Sequence, residues 1–134
     1  MENEIKNNTY TFVLPFLPAP KGRPRVGKFG VYTPKKTRDS ENQIKDFIFS
    51  FSKLFFEQPT KMAIGVELQF TMIRPKSSKK KYPTVKPDID NLIKTLLDAM
   101  NGIIYADDNQ IIDLSASSRY GEEEKTKIKL ILIE

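Results

Sequence analysis

Asp88 and Asp90 stand two residues apart in KPDIDNLIKTLLDAMNG, residues 86–102, just where an amphipathic helix should begin. A second acidic pair, Asp107 and Asp108, follows in YADDNQI. A helix N-terminus favours one acid through its dipole, but not a second one beside it. Positions two apart on a helix lie about 200° apart, so Asp88 and Asp90 converge only if Asp88 sits at or before the cap. Pro87 favours that placement by biasing Lys86 towards an extended conformation. Carboxylates held this close repel unless a cation neutralises them. Mg2+, which takes carboxylate and water oxygens, is the natural cation, with Mn2+ as the alternative. One of the later aspartates, brought back by the short connection after Gly102, would complete the set. Lys94, four residues after Asp90, falls on the same helical face. There it can hold a carboxylate, contact a phosphate or offset charge developing in phosphoryl transfer. Asp98, one turn on, is expected to be a salt-bridge partner.

Each part also has a plain structural reading. Asp88 or Asp90 alone is an ordinary cap or first-turn acid, Asp107-Asp108 an ordinary turn, and Lys94 a solvated face. What argues for chemistry is their combination in an unusual chain. The 134 residues contain no histidine and no cysteine. Imidazole bases, thiolate nucleophiles and disulfides are therefore excluded, and hydrolysis would have to rest on carboxylates, lysines, hydroxyls or a hard metal ion. The absence of cysteine also fits a reducing cytosol. The polar, acidic start MENEIKNN does not read as a signal peptide, and no apolar run reaches the roughly 20 residues that span a membrane. A soluble, cytoplasmic protein with no membrane partner is the expectation.

Charge is distributed unevenly. The net charge of +5 hides two segments free of acids. Residues 21–38 hold Lys21, Arg23, Arg25, Lys28, Lys35, Lys36 and Arg38, and residues 74–86 hold Arg74, Lys76, Lys79, Lys80, Lys81 and Lys86. Together they carry +13, against −8 for the rest of the chain. A solvated surface usually mixes its signs, so these lysines and arginines read as the footprint of a polyanion. Neither segment forms an amphipathic helix, which disfavours a lipid surface. Phe29 and Tyr32, inside the first segment, are candidates for stacking on exposed bases.

The elements that must position these groups follow from periodicity. Alternation at Tyr10, Phe12, Leu14 and Phe16 predicts a strand ending near Pro18. KGRPRVGKFGVYTPKKTR then reads as an extended loop or loose hairpin. A helix is expected over about 39–56, with Ile44, Phe47, Ile48, Phe51 and Phe55 facing the core and Phe49 and Phe56 marking a second buried side. Residues 62–72 alternate as a strand, from Ile64 to Met72. In the helix opened by Asp88, the residues Ile89, Leu92, Ile93, Leu96, Leu97 and Met100 form an apolar face, and Asn101-Gly102 ends it. Two strands, about 111–120 and 126–133, close the chain around the turn GEEEK. The expectation is a single small α+β domain over 1–134, with a mixed or mostly antiparallel sheet, two main helices and a flexible tail over 1–8.

At its acidic residues the chain resembles the RusA-like family of Holliday-junction resolvases, which is common in phages and prophages. The family pattern is D-x-D-N-x-x-K, a helix, and then an aromatic or apolar residue shortly before D-D-x-Q-[IV]. Here it reads Asp88-Ile-Asp90-Asn91-Leu-Ile-Lys94, then Tyr105-Ala-Asp107-Asp108-Asn-Gln110-Ile111. The early KGRPR…TP segment is similar to the basic region of phage-type members. The resemblance implies a homodimeric, Mg2+-dependent endonuclease that resolves four-way DNA junctions by paired symmetric nicks in recombination and repair. It implies Asp88, Asp90 and Asp108 as essential acids and metal ligands, Lys94 as the important lysine, and Asp107 as a neighbour in an undetermined role. It also implies a bacterial, phage- or prophage-linked setting. The alternatives are a broader branched-DNA nuclease, or a DNA-binding module without catalysis, which would have no use for the acids.

Overall fold

The computed structural model describes the backbone of residues 4–6, 8–18, 25–27, 30–32 and 35–134, and the side chains of residues 8–18 and 41–134. It is an α+β domain with a five-stranded mixed sheet and two main helices, as expected. The strands are β1 (Glu4–Lys6), β2 (Thr9–Leu14), β5 (Ala63–Ile73), β6 (Ile111–Gly121) and β7 (Lys125–Ile133), in the order β1-β2-β7-β5-β6. A separate antiparallel pair, β3 (Arg25–Gly27) and β4 (Gly30–Tyr32), lies within the first basic segment and matches the hairpin reading of it. Residues 4–6, expected in a flexible tail, instead pair with β2.

Helix α1 (Lys35–Phe55) begins before the expected start at Asp39, so Lys35, Lys36 and Arg38 are helical. Its core face is Ile44, Ile48, Phe51 and Ser52, at i, i+4, i+7 and i+8. Phe51 stacks on Phe12 of β2 with ring centroids 3.8 Å apart. This rotation leaves Phe47, expected in the core, 40% exposed, with its ring edge-on to Phe16. Phe49 is 41% exposed beneath the Lys53 ammonium, so the expected second buried side is absent there. Phe56 does pack, against Tyr10 at 4.9 Å.

β5 is the axis of the fold, antiparallel to β7 and parallel to β6. Its alternating residues Ile64, Val66, Leu68, Phe70 and Met72 are buried in one cluster with both helices. Helix α2 (Ile89–Met100) fills the same cluster with Leu92, Leu96, Ala99 and Met100, while Ile89, Ile93 and Leu97 pack at its margin. Each fully buried leucine or methionine is worth about 1.5–3 kcal/mol, against about 1 kcal/mol for a good N-cap. The core, and not the cap, therefore seats this helix. Asn101 closes it by donating its N–H to the Leu97 carbonyl at 3.1 Å, and Gly102 takes the left-handed conformation at φ 81° that glycine tolerates best.

Candidate active site

Asp88 occupies the N-cap position of α2 in an extended conformation, and its side chain makes no capping hydrogen bond. Its backbone carbonyl accepts from the Leu92 N–H at 3.2 Å, so the helix starts without using the carboxylate. Asp90 is exposed in the first turn. Both acids line one open groove, built from residues 83–90 and closed on its far side by Ser118 of β6. Neither carboxylate has a hydrogen bond or ion pair to another described residue. Two carboxylates with unused oxygens at the positive end of a helix suit a hard divalent cation, because Mg2+ is commonly held by one or two carboxylates together with water and substrate phosphate. Lys94 is exposed one turn further along, on the same side of α2 as Asp90.

The second acidic pair sits on a separately built support. Asp107 precedes a short 3-10 turn, Asp108–Gln110, that leads into β6. The Gln110 side chain fixes this turn from both ends of its amide. Its Oε1 accepts from the Asp107 N–H at 2.8 Å, and its Nε2 donates to the carbonyls of Thr60 and Met62, each at 2.8 Å. Tyr105, wholly buried, ties the same connection to α2 by donating its hydroxyl to the Leu97 carbonyl at 2.6 Å. The Ala106 N–H donates to Thr60, and the Thr60 N–H to Ile104, so residues 104–106 run alongside Thr60 like a short extra strand.

Electrostatics show which acids are neighbours. A hydrogen bond shared with the Asp107 carboxyl raises the pKa of Asp108. Desolvation and the charges of Asp107 and Asp98 push the same way, and a backbone hydrogen bond partly opposes them. Burial holds the Tyr105 phenol well above its ordinary range, and the charges of Asp108 and Asp98 add to this. Asp98, expected to answer Lys94, thus lies within the field of the later pair. Asp90 and Asp98 are separated by about 12 Å of helix rise. Asp88 and Asp90 share one groove, and Asp98 lies near Asp107 and Asp108. Among the described residues no three acids stand close enough to hold one metal ion.

Of the basic residues, Lys76, Lys79, Lys80, Lys81 and Lys86 are exposed along the approach to α2. Lys86 also lines the groove of Asp88 and Asp90. The side chains of Lys21, Arg23, Arg25, Lys28, Phe29, Tyr32, Lys35, Lys36 and Arg38 lie outside the described residues. Sequence reasoning missed one contributor and left two without a role. Ser118 gave no signal, since only the β5–β6 pairing brings it to the groove. Tyr105 and Gln110 stand in the motif, but their roles were hidden because their partners are backbone groups, which no motif records.

No helix among the described residues is long and apolar enough to cross a membrane. The uncharacterized protein YqaN of Bacillus subtilis (strain 168) is similar to this chain, 31% identical over 126 residues, with 83% of this chain and 84% of that protein covered. The family profile described as Endodeoxyribonuclease RusA matches residues 15–131, a span that takes in α1, the groove, α2 and the Asp107-Asp108 turn. The chain belongs to the RusA endodeoxyribonuclease family.

Proposed function

We propose that the protein is a divalent-metal-dependent endonuclease that resolves four-way DNA junctions by paired symmetric nicks, acting as a homodimer in recombination and repair. The observation that supports this reading best is the pair of unengaged carboxylates, Asp88 and Asp90, in a groove at the positive end of α2. Asp88 and Asp90 hold Mg2+ or Mn2+. When bound, the cation acts as a Lewis acid, lowering the pKa of water and favouring in-line attack on a phosphodiester. Lys94, one turn along the helix, offsets negative charge on the reacting phosphate. Asp108, the third acid the resemblance implies as a metal ligand, stands beside Asp107 on a turn that Tyr105 and Gln110 hold in place. The exposed lysines at 76, 79, 80, 81 and 86, with the basic residues of 21–38, hold the DNA arms by neutralising phosphates. Resolution needs two nicks related by a two-fold axis, and a C2 dimer supplies both.

The test offers purified protein a labelled four-way junction and a matched linear duplex, in Mg2+ and in EDTA. Paired nicks at symmetric positions on the junction, lost in EDTA, are expected, with weaker binding and poor cutting of the duplex. Asp90→Asn should abolish nicking while junction binding persists or tightens, because the change removes a ligand and also a charge that repels phosphate. Equal cutting of both substrates would favour a broader nuclease. Binding without cutting in any divalent metal would favour a non-catalytic module.

A further inference from the structure

β6 is the least protected element of the fold. It ends the sheet order, and no other strand among the described residues pairs with its outer edge. At the opposite end of the sheet, the edge strand β1 has three residues; β6 has eleven. Long open edges invite pairing, and proteins usually blunt them with lysine, proline or brevity. β6 contains no lysine and no proline, its register shift against β5 is confined to its start at Ile112, and it exposes Ile112 by 64% and Leu114 by 42%.

From these features we infer that β6 is the surface on which a second copy of this chain docks, by antiparallel pairing of β6 with itself and with Ala116 opposite its own counterpart. The strand reads Ile-Ile-Asp-Leu-Ser-Ala-Ser-Ser-Arg-Tyr-Gly, and its only charged residues are Asp113 and Arg119, three positions to either side of Ala116. The self-pairing therefore sets each Asp113 opposite an Arg119 of the other copy, twice over. It also sets Leu114 against Ser118, with small residues at the centre, and leaves the bulged Ile112 beyond the regular pairing. Directly opposed residues in an antiparallel pair must share a face of the sheet, and these do. Asp113 and Arg119 align with Gly65 and Thr71 of β5, on the face away from the helices, whereas Leu114 and Ser118 align with Val66 and Phe70 on the helix face. A slip of two residues leaves both charges unmatched, and a slip of one puts opposed residues on different faces. No ion pair joins Asp113 or Arg119 to another described residue, so both charges remain available.

The pairing continues one sheet through both copies and supplies main-chain hydrogen bonds along β6. Ser118 lines the groove of Asp88 and Asp90 and sits two residues from Ala116, so the two grooves flank the axis. That last consequence rests on the nuclease reading; the docking surface does not.

The chain has no cysteine, so single cysteines report the register cleanly. Under mild oxidation Ala116→Cys should give a reducible covalent dimer, while Ser118→Cys, several residues from its own counterpart, should not. In analytical ultracentrifugation, Arg119→Asp and Asp113→Arg should each raise the dimer dissociation constant more than tenfold, since each sets like charges opposite one another twice. Mixed one to one, the two variants should regain a dimer of near wild-type affinity, which also shows that both are folded. A wild-type dimer that Arg119→Asp does not weaken, together with no crosslink at Ala116→Cys, would place the interface elsewhere and leave the nuclease reading intact. A monomeric wild type would overturn the inference outright. Crosslinking and charge rescue in a protein that cuts no DNA would uphold the docking surface and sink the nuclease reading.

Discussion

Asp88 and Tyr105 divide the labour at the site in opposite ways. Asp88 holds a capping position without capping, so its removal takes away a charge and no contact. Asp88→Asn should change unfolding free energy in urea by less than about 0.5 kcal/mol yet abolish nicking. Tyr105 is wholly buried and touches no candidate reacting group, but its hydroxyl satisfies the Leu97 carbonyl. Tyr105→Phe removes one of the two hydrogen bonds that carbonyl accepts, the Asn101 N–H keeping the other, and should cost about 0.5–1.5 kcal/mol, read by the same urea titration. The phenol also gives a pH signature. Its folded pKa lies above the ordinary 10.0, so the unfolded chain ionises first. Stability contributed below that value is then lost as pH rises past it. The wild type should lose stability above pH 10 by a component that Tyr105→Phe lacks. At this scale the sequence was informative wherever chemistry needs an unusual residue type. Asp88, Asp90 and Lys94 each have an ordinary structural reading, and their combination in a histidine-free chain is what singles them out as candidates. Tyr105 entered only through the family pattern, because an aromatic before a turn has many such readings.

Helix α2 and the turn after it show why the site can be rigid while its acids stay exposed. Leu92, Leu96 and Met100 anchor the helix from beneath, and the Gln110 amide anchors the turn from behind through three hydrogen bonds. Gln110→Met keeps the length of the side chain but none of those bonds. The expected result is a loss of at least tenfold in nicking by single-turnover kinetics, with far-ultraviolet circular dichroism unchanged. Gln110→Glu should do nearly as badly, since a carboxylate cannot donate to the Thr60 and Met62 carbonyls. Both main helices, and the strands from β5 onwards, were legible from their 3.6- and two-residue periods. The boundaries of α1 were not. KKTR reads as basic loop because cations are unfavourable at a helix N-terminus, yet the helix starts there. Phe47 and Phe49 misled for a related reason, because a helix this rich in phenylalanine offers more than one apolar stripe and the sheet selects only one.

Over the whole molecule, positive charge and chemistry lie on the same stretch of chain. Neutralising Lys79, Lys80 and Lys81 together should weaken junction binding and flatten its dependence on salt, since fewer counterions are released. Fluorescence anisotropy between 50 and 200 mM salt, a range over which such contacts respond strongly by roughly orders of magnitude, checks this. The way β6 borders the groove was not legible in the sequence, because it depends on which strand lies beside β5. That pairing has a further consequence for how the molecule comes into being. β5 and β6 run parallel, so the chain between them must cross back over the sheet, and residues 74–110 are that crossing. Parallel neighbours cannot be joined by a tight turn, and closing so long a segment is entropically slow. The candidate site residues Asp88, Asp90, Lys94, Asp107 and Asp108 are thus carried on the segment whose passage completes the sheet. A nascent or damaged chain in which β6 has not yet docked lacks Ser118 at the groove, so on the proposed reading nuclease competence would arrive only with the finished fold.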